Sequence, residues 1–111
     1  MDAGIRFTFH QDSPVLEMDM LKTVSCAAER RTRSGVSLGP EERIPVLNAL
    51  RAVTVDAAYQ YFLDGERGSL RPGKRADFAI LDANPLATDP ARIAEISVLE
   101  TIQAGRTVFA R

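Results

Sequence analysis

The stretch from Gly68 to Asp82 reads Gly-Ser-Leu-Arg-Pro-Gly-Lys-Arg-Ala-Asp-Phe-Ala-Ile-Leu-Asp, and it leaves the chain little choice of local structure. Pro72 fixes its own φ and Gly73 accepts a positive one, so Pro72-Gly73 makes a turn. Ser69-Leu70 before it reads as a short strand. Ala76 to Leu81 is apolar apart from Asp77, the pattern of a strand covered on both faces. Taken alone, the stretch predicts a hairpin in a small α+β arrangement.

The predicted internal boundary lies near Gly65 to Gly68, where helices give way to strands. Ile5-Arg6-Phe7-Thr8-Phe9 alternates apolar and polar side chains and predicts a strand. Pro14 denies a ladder its N–H and pushes Ser13 out of helical angles, so the chain turns there, with His10 and Asp12 at or just past the strand's end. Met18, Leu21, Val24, Cys26, Ala27 and Ala28 recur at helical spacing and predict an amphipathic helix from Met18 to Arg31, with Cys26 as a small core residue. Arg30, Arg31 and Arg33 then form a solvated helix end complementing the dipole. Pro40-Glu41-Glu42 suits a single helical turn. Pro45 suits the first position of a helix through Val53, and Thr54 the cap of another running from Val55 to Phe62 and closed by Gly65. Beyond the central stretch, Asp89-Pro90 opens a short helix through Ile96. Val98–Gln103 and Arg106–Ala110, joined at Ala104-Gly105, form a second hairpin.

At 111 residues the chain has room for one modest core but not for a complete (β/α)8 barrel, which needs roughly 250 residues. It is a small protein or a piece of a larger one. Fourteen Lys and Arg stand against fifteen Asp and Glu, so no overall field favours nucleic acid or an anionic membrane. Cys26 is the only cysteine, which rules out an internal disulfide. No apolar run approaches the roughly 20 residues of a membrane helix, and the N-terminus carries no signal-peptide pattern. The expectation is a cytoplasmic protein with neither a nucleic-acid nor a membrane partner.

Three stretches in order resemble the amidohydrolase superfamily, and together they cover nearly the whole chain. Phe7-Thr8-Phe9-His10-Gln11-Asp12-Ser13-Pro14-Val15 is similar to the family's eighth barrel strand and the loop after it. Leu38-Gly39-Pro40-Glu41-Glu42-Arg43 through Thr54 and Ala57-Ala58-Tyr59 resembles the helical passage that follows, departing at Asp56, where Asn is commoner. Gly68 to Asp82 resembles the return to a small β-sandwich. The likeness is greatest to the type 3 amidohydrolase branch that holds N-substituted formamide deformylase-like proteins.

The resemblance implies an α/β fold, namely the C-terminal fragment of a (β/α)8 metal-dependent hydrolase barrel followed by strands of a small β-sandwich. Residues 1–67 would be the last barrel strand and its helices, and residues 68–111 the β-rich segment. It implies a parent that hydrolyses the C–N bond of a small amide-type substrate with a water activated by a divalent metal, most often zinc. Asp12 matches the family aspartate that ligates the metal and takes the water's proton, a role suited to an oxygen ligand beside a Lewis acid. His10 is two residues away, on the same side if the strand persists, and is read as a substrate-contacting or ligand-supporting residue.

A complete site of this family also needs a His-x-His pair, further histidines and commonly a carboxylated lysine. This chain has one histidine. Alone it is expected to bind no catalytic metal and to turn nothing over, and its uncovered apolar surface, Phe7 and Phe9 included, is expected to drive homo-oligomer formation. The competing reading is a non-catalytic α+β structural or interaction module.

Overall fold

A computed structural model describes residues 4–111, and its contacts divide the chain into two units, each described separately below.

The first unit comprises residues 10–50 and 83–96. Its main helix, α1 (Met20–Glu29), is shorter at both ends than periodicity predicts. Asp19 accounts for the start, because its carboxylate accepts the Leu21 and Lys22 backbone N–H groups, two donors that no helical carbonyl can reach. Arg30 accounts for the end. It takes a left-handed conformation, φ 53, with its N–H on the Cys26 carbonyl, as a C-cap does. The buried face consists of Val24, Ser25 and Ala28, packed on a 3-10 helix at Pro90–Glu95 that contributes Ile93. Ser25 Oγ donates to the Pro90 carbonyl at 2.8 Å. Cys26, expected in this core, is exposed instead, because the turn of the helix directs Ser25 rather than Cys26 at the packed element.

The expected helical turn at Pro40–Glu42 is a 3-10 turn, and the Asp89 carboxylate caps Pro90–Glu95 by accepting from Ala91 N at 2.9 Å. Arg30 and Arg43 are loop ties rather than free cations: Arg30 Nε donates to the Leu38 carbonyl and Arg43 Nε to the Glu29 carbonyl. Helix α2 (Val46–Ala52) begins with Asn48 and Ala49 bonding the Pro45 carbonyl, a place where proline's missing N–H costs nothing.

The second unit comprises residues 4–9, 51–82 and 97–111. Ile5–Phe9, predicted as a strand, joins no ladder, because no neighbouring strand among the described residues lies alongside it. Its two rings, Phe7 and Phe9, meet edge to face at 5.6 Å. Helix α3 (Val55–Gln60) follows Thr54 and ends earlier than Gly65 would allow. Phe62 supplies the left-handed residue, φ 58, with its N–H on the Tyr59 carbonyl and the Leu63 N–H reaching back to Ala58. That is the Schellman arrangement with phenylalanine where glycine is usual.

Ser69-Leu70 forms no strand, so the predicted hairpin around Pro72-Gly73 is a closed loop instead. Lys74 accounts for it. Its ammonium donates to the carbonyls of Asp64 and Arg67, and the Arg75 N–H bonds the Glu66 carbonyl, drawing residues 64–75 into a knot of their own. Strand β1 (Phe78–Leu81) pairs antiparallel with β2 (Val98–Gln103), which pairs antiparallel with β3 (Arg106–Ala110), in the order β1-β2-β3. The expected cover on both faces of β1 is absent, since Phe78 and Ile80 are exposed. Ala104 and Gly105 both take positive φ, 51 and 76, the two-residue turn whose twist matches the strands it joins. Asp77 fastens that turn by accepting from Ala104 N at 2.7 Å. Among the described residues no helix is long and apolar enough to cross a membrane.

Gly68 sets the sharpest local constraint. At φ +81, a Cβ on it would stand 2.7 Å from the Ala58 Cβ and 3.0 Å from the Thr54 carbonyl. Gly68→Ala should therefore lower stability in urea titration by about 2 kcal/mol or more, combining left-handed strain with overpacking. Gly65→Ala, whose Cβ would meet nothing within 4 Å, should shift the midpoint little or upward. Ala104→Asn, a better left-handed residue, should stabilise the β2–β3 turn by a few tenths of a kcal/mol to about 1 kcal/mol in the same titration.

Candidate functional site

The chain leaves residue 9 and passes through His10, Gln11 and Asp12 before reversing. Asp12 takes φ 51, a conformation that aspartate tolerates better than most residues, and its carbonyl accepts the Val15 N–H at 2.8 Å to close a turn over residues 12–15. The Ser13–Pro14 peptide within that turn is cis. His10 and Asp12 are both exposed, with buried Gln11 between them. Among the described residues, no group of three or more His, Cys, Asp and Glu side chains is gathered closely enough to hold a metal ion.

Around this turn a polar network joins the loop to the start of α1. Gln11 Oε1 accepts from Asp19 N at 2.9 Å, and its Nε2 donates to the Asp19 carbonyl and to Thr23 Oγ1. Lys22 pairs with Glu17 at 3.0 Å and Asp19 at 3.4 Å, and the hydrogen bond and charge of Glu17, reinforced by Asp19, raise its pKa above the ordinary value of 10.5. Sequence reasoning passed over Gln11 and Asp19. Asp19 had a signal, a short acidic residue just ahead of an apolar-periodic run. Gln11 had none, because its partners lie 8 and 12 residues downstream.

In the second unit, Asp56 is 9 % exposed in the first turn of α3, and its carboxylate lies 3.9 Å from Arg6 Nε. The Arg6 guanidinium also lies 4.1 Å above the Tyr59 ring centroid. The departure from the commoner Asn at this position thus has a physical partner, a cation that an amide would bind less strongly.

Turn, helices and three-stranded sheet together correspond to one established class. The Amidohydrolase family profile matches residues 1–109, and the chain belongs to that family. It is 31% identical over 105 residues to the N-substituted formamide deformylase of Arthrobacter pascens, a match covering 95% of this chain and 19% of that protein. The protein LONG AFTER FAR-RED 3 of Arabidopsis thaliana is 36% identical over 99 residues, covering 88% of this chain and 17% of that protein. The crystal structure of an amidohydrolase from Thermotoga maritima superposes with a TM-score of 0.72 at 21% identity, over 99% of this chain and 24% of that one, which shows the fold. The chain thus spans about a fifth of the length of the relatives it matches.

Asp19→Ala removes both side-chain caps but keeps the main-chain bonds to Gln11, and should lower helix stability by about 1 kcal/mol, read by amide exchange across α1. The Lys22 contribution has a definite sign. A folded pKa raised above the unfolded one stabilises fully below about pH 10.5 and is lost as pH rises through the folded value.

Proposed function

We propose that this chain is the C-terminal portion of a metal-dependent amidohydrolase, with residues 1–67 as the last barrel strand and its helices and residues 68–111 as part of a small composite β domain. The longer enzyme would hydrolyse a C–N bond of amide type in a small-molecule substrate, using water activated by a divalent metal, which we read as zinc. The family match over residues 1–109 carries the reading. The Arthrobacter relative's name, an N-substituted formamide deformylase, supports an amide-type bond.

Asp12 is proposed as the carboxylate of this segment that ligates the metal and accepts a proton, and His10 as a substrate contact. Exposure of both supports access to a ligand. The remaining donors would come from elsewhere in the longer chain, since catalytic residues of a barrel are collected from the ends of several strands. By itself the chain is proposed to be inactive and metal-free. The net charge of −1 supports the absence of a nucleic-acid partner, and the single cysteine suits a cytoplasmic setting.

Self-association of the isolated chain is proposed on its exposed apolar side chains. In the second unit these include Phe62, 90 % exposed, with Val108 and Phe109 on β3, whose outer edge bears no further strand among the described residues.

In the longer enzyme Asp12→Asn should lower kcat by about a hundredfold to ten-thousandfold while leaving thermal stability close to that of the parent. Full retained activity would remove Asp12 from the chemistry. Metal analysis of this chain after dialysis should find far less than one equivalent, and a stoichiometric content would overturn the proposal that the segment alone is metal-free. Sizing chromatography at high protein concentration should show species larger than the monomer.

A further inference from the structure

The loop that starts at Asp12 returns to Asp19, and a single side chain joins its two ends. Gln11 is 8 % exposed, although His10 before it and Asp12 after it are both open to solvent. Its Oε1 accepts from Asp19 N, and its Nε2 donates to the Asp19 carbonyl and to Thr23 Oγ1 at 2.9 Å, so both amide protons have acceptors. The two bonds to Asp19 reproduce the exchange between paired antiparallel residues, with the side-chain amide standing in for a neighbouring peptide. Only one orientation satisfies them. Turning the amide over would set its NH2 against the Asp19 N–H and its oxygen against the Asp19 carbonyl.

Asp19 is also the cap of α1, so the residue that Gln11 grips is already fixed to that helix. Asp12 follows Gln11 directly, and its left-handed φ and its carbonyl bond to Val15 then turn the chain away. We infer that Gln11 is the positioning residue for Asp12: its amide clamps the chain to the N-terminus of α1 one residue before the carboxylate, fixing the point and direction from which Asp12 departs. The functional half of this inference rests on the reading of Asp12 as the reactive carboxylate. The geometric half does not.

Gln11→Met keeps the length and volume of the side chain and removes all three bonds. In this chain, nuclear magnetic resonance of the variant should show the Val15 N–H exchanging roughly tenfold faster or more, and Asp12 should lose the coupling constant that marks φ near 51. Val24 and Ala28 amides in α1 should change by less than about twofold. Unchanged Val15 and Asp12 signals would overturn the inference. So would equal loss of protection in α1, because Gln11 would then support the whole unit rather than the turn. Should Gln11→Met not fold, Thr23→Val removes one acceptor and leaves the pairing with Asp19. It should raise Val15 exchange by about twofold to threefold, and no change would count against the clamp. In the longer enzyme Gln11→Met should lower kcat with KM little altered, whereas an unchanged kcat would deny the positioning role. If Asp12→Asn were fully active, the catalytic reading would fall while the resonance result on the clamp stood.

Discussion

A backbone that leaves regular structure still has to bond its N–H and carbonyl groups, and in this chain charged and amide side chains meet much of that demand. Gln11 pairs with the main chain of Asp19, and Lys74 with two carbonyls of the loop before it. Asp77 holds the β2–β3 turn, and the Asp82 carboxylate accepts Ser97 N while Asp82 N bonds the Ser97 carbonyl. Such ties substitute for ladders the segments do not form. Among the described residues the largest fully buried side chains are Ile93 and Val24, so these ties supply much of what defines the loops. Each is also specific in a way apolar burial is not, because a carbonyl oxygen accepts only where a donor is aimed at it.

That division sets what could be read beforehand. The β2–β3 hairpin was legible to the residue, since Ala104-Gly105 between two alternating runs is a local signal and the pairing partner is the next segment along. The cap at Asp89 and the helical character of residues 20–29, 46–52 and 55–60 were legible for the same reason. The strands at Ile5–Phe9 and Ser69-Leu70 were not, because strand character depends on a neighbour that sequence alternation does not supply. Pro72-Gly73 did mark a turn, but Lys74 decided what the turn closes, and a lysine reaching back to carbonyls has no periodicity to detect. The two helix ends at Arg30 and Phe62 were missed because both place a side-chain-bearing residue where glycine would have announced the stop.

For the candidate site the balance is reversed. Residue identity pointed to Asp12 and His10, whereas the side chain that ties this segment down, Gln11, shows only in the structure. His10 and Asp12 are both exposed while Gln11 between them is buried, and the left-handed Asp12 opens a tight turn. Beside a turn, a buried side chain is the one able to hold the segment, and exposed ones are those able to meet a ligand. On that physical ground the inward residue here had to be long, polar and uncharged. It must reach a peptide with both a donor and an acceptor, and an ionised carboxylate offers only acceptors while an ammonium offers only donors.

On the proposed reading of Asp12 as a ligand, the carboxylate and its support are adjacent in sequence while the other donors would come from distant segments. A ligand whose approach is fixed before a metal arrives binds it more tightly, since ordering it on binding subtracts from affinity. A clamp on the neighbouring residue achieves that within nine residues, from Gln11 to Asp19, without waiting for distant strands to assemble. Local closure involves a short loop and a small entropy cost, whereas gathering donors from separated segments involves long loops and a larger one. A chain can therefore carry one pre-set carboxylate in a short, self-bonded segment and leave completion of the site to the rest of the fold.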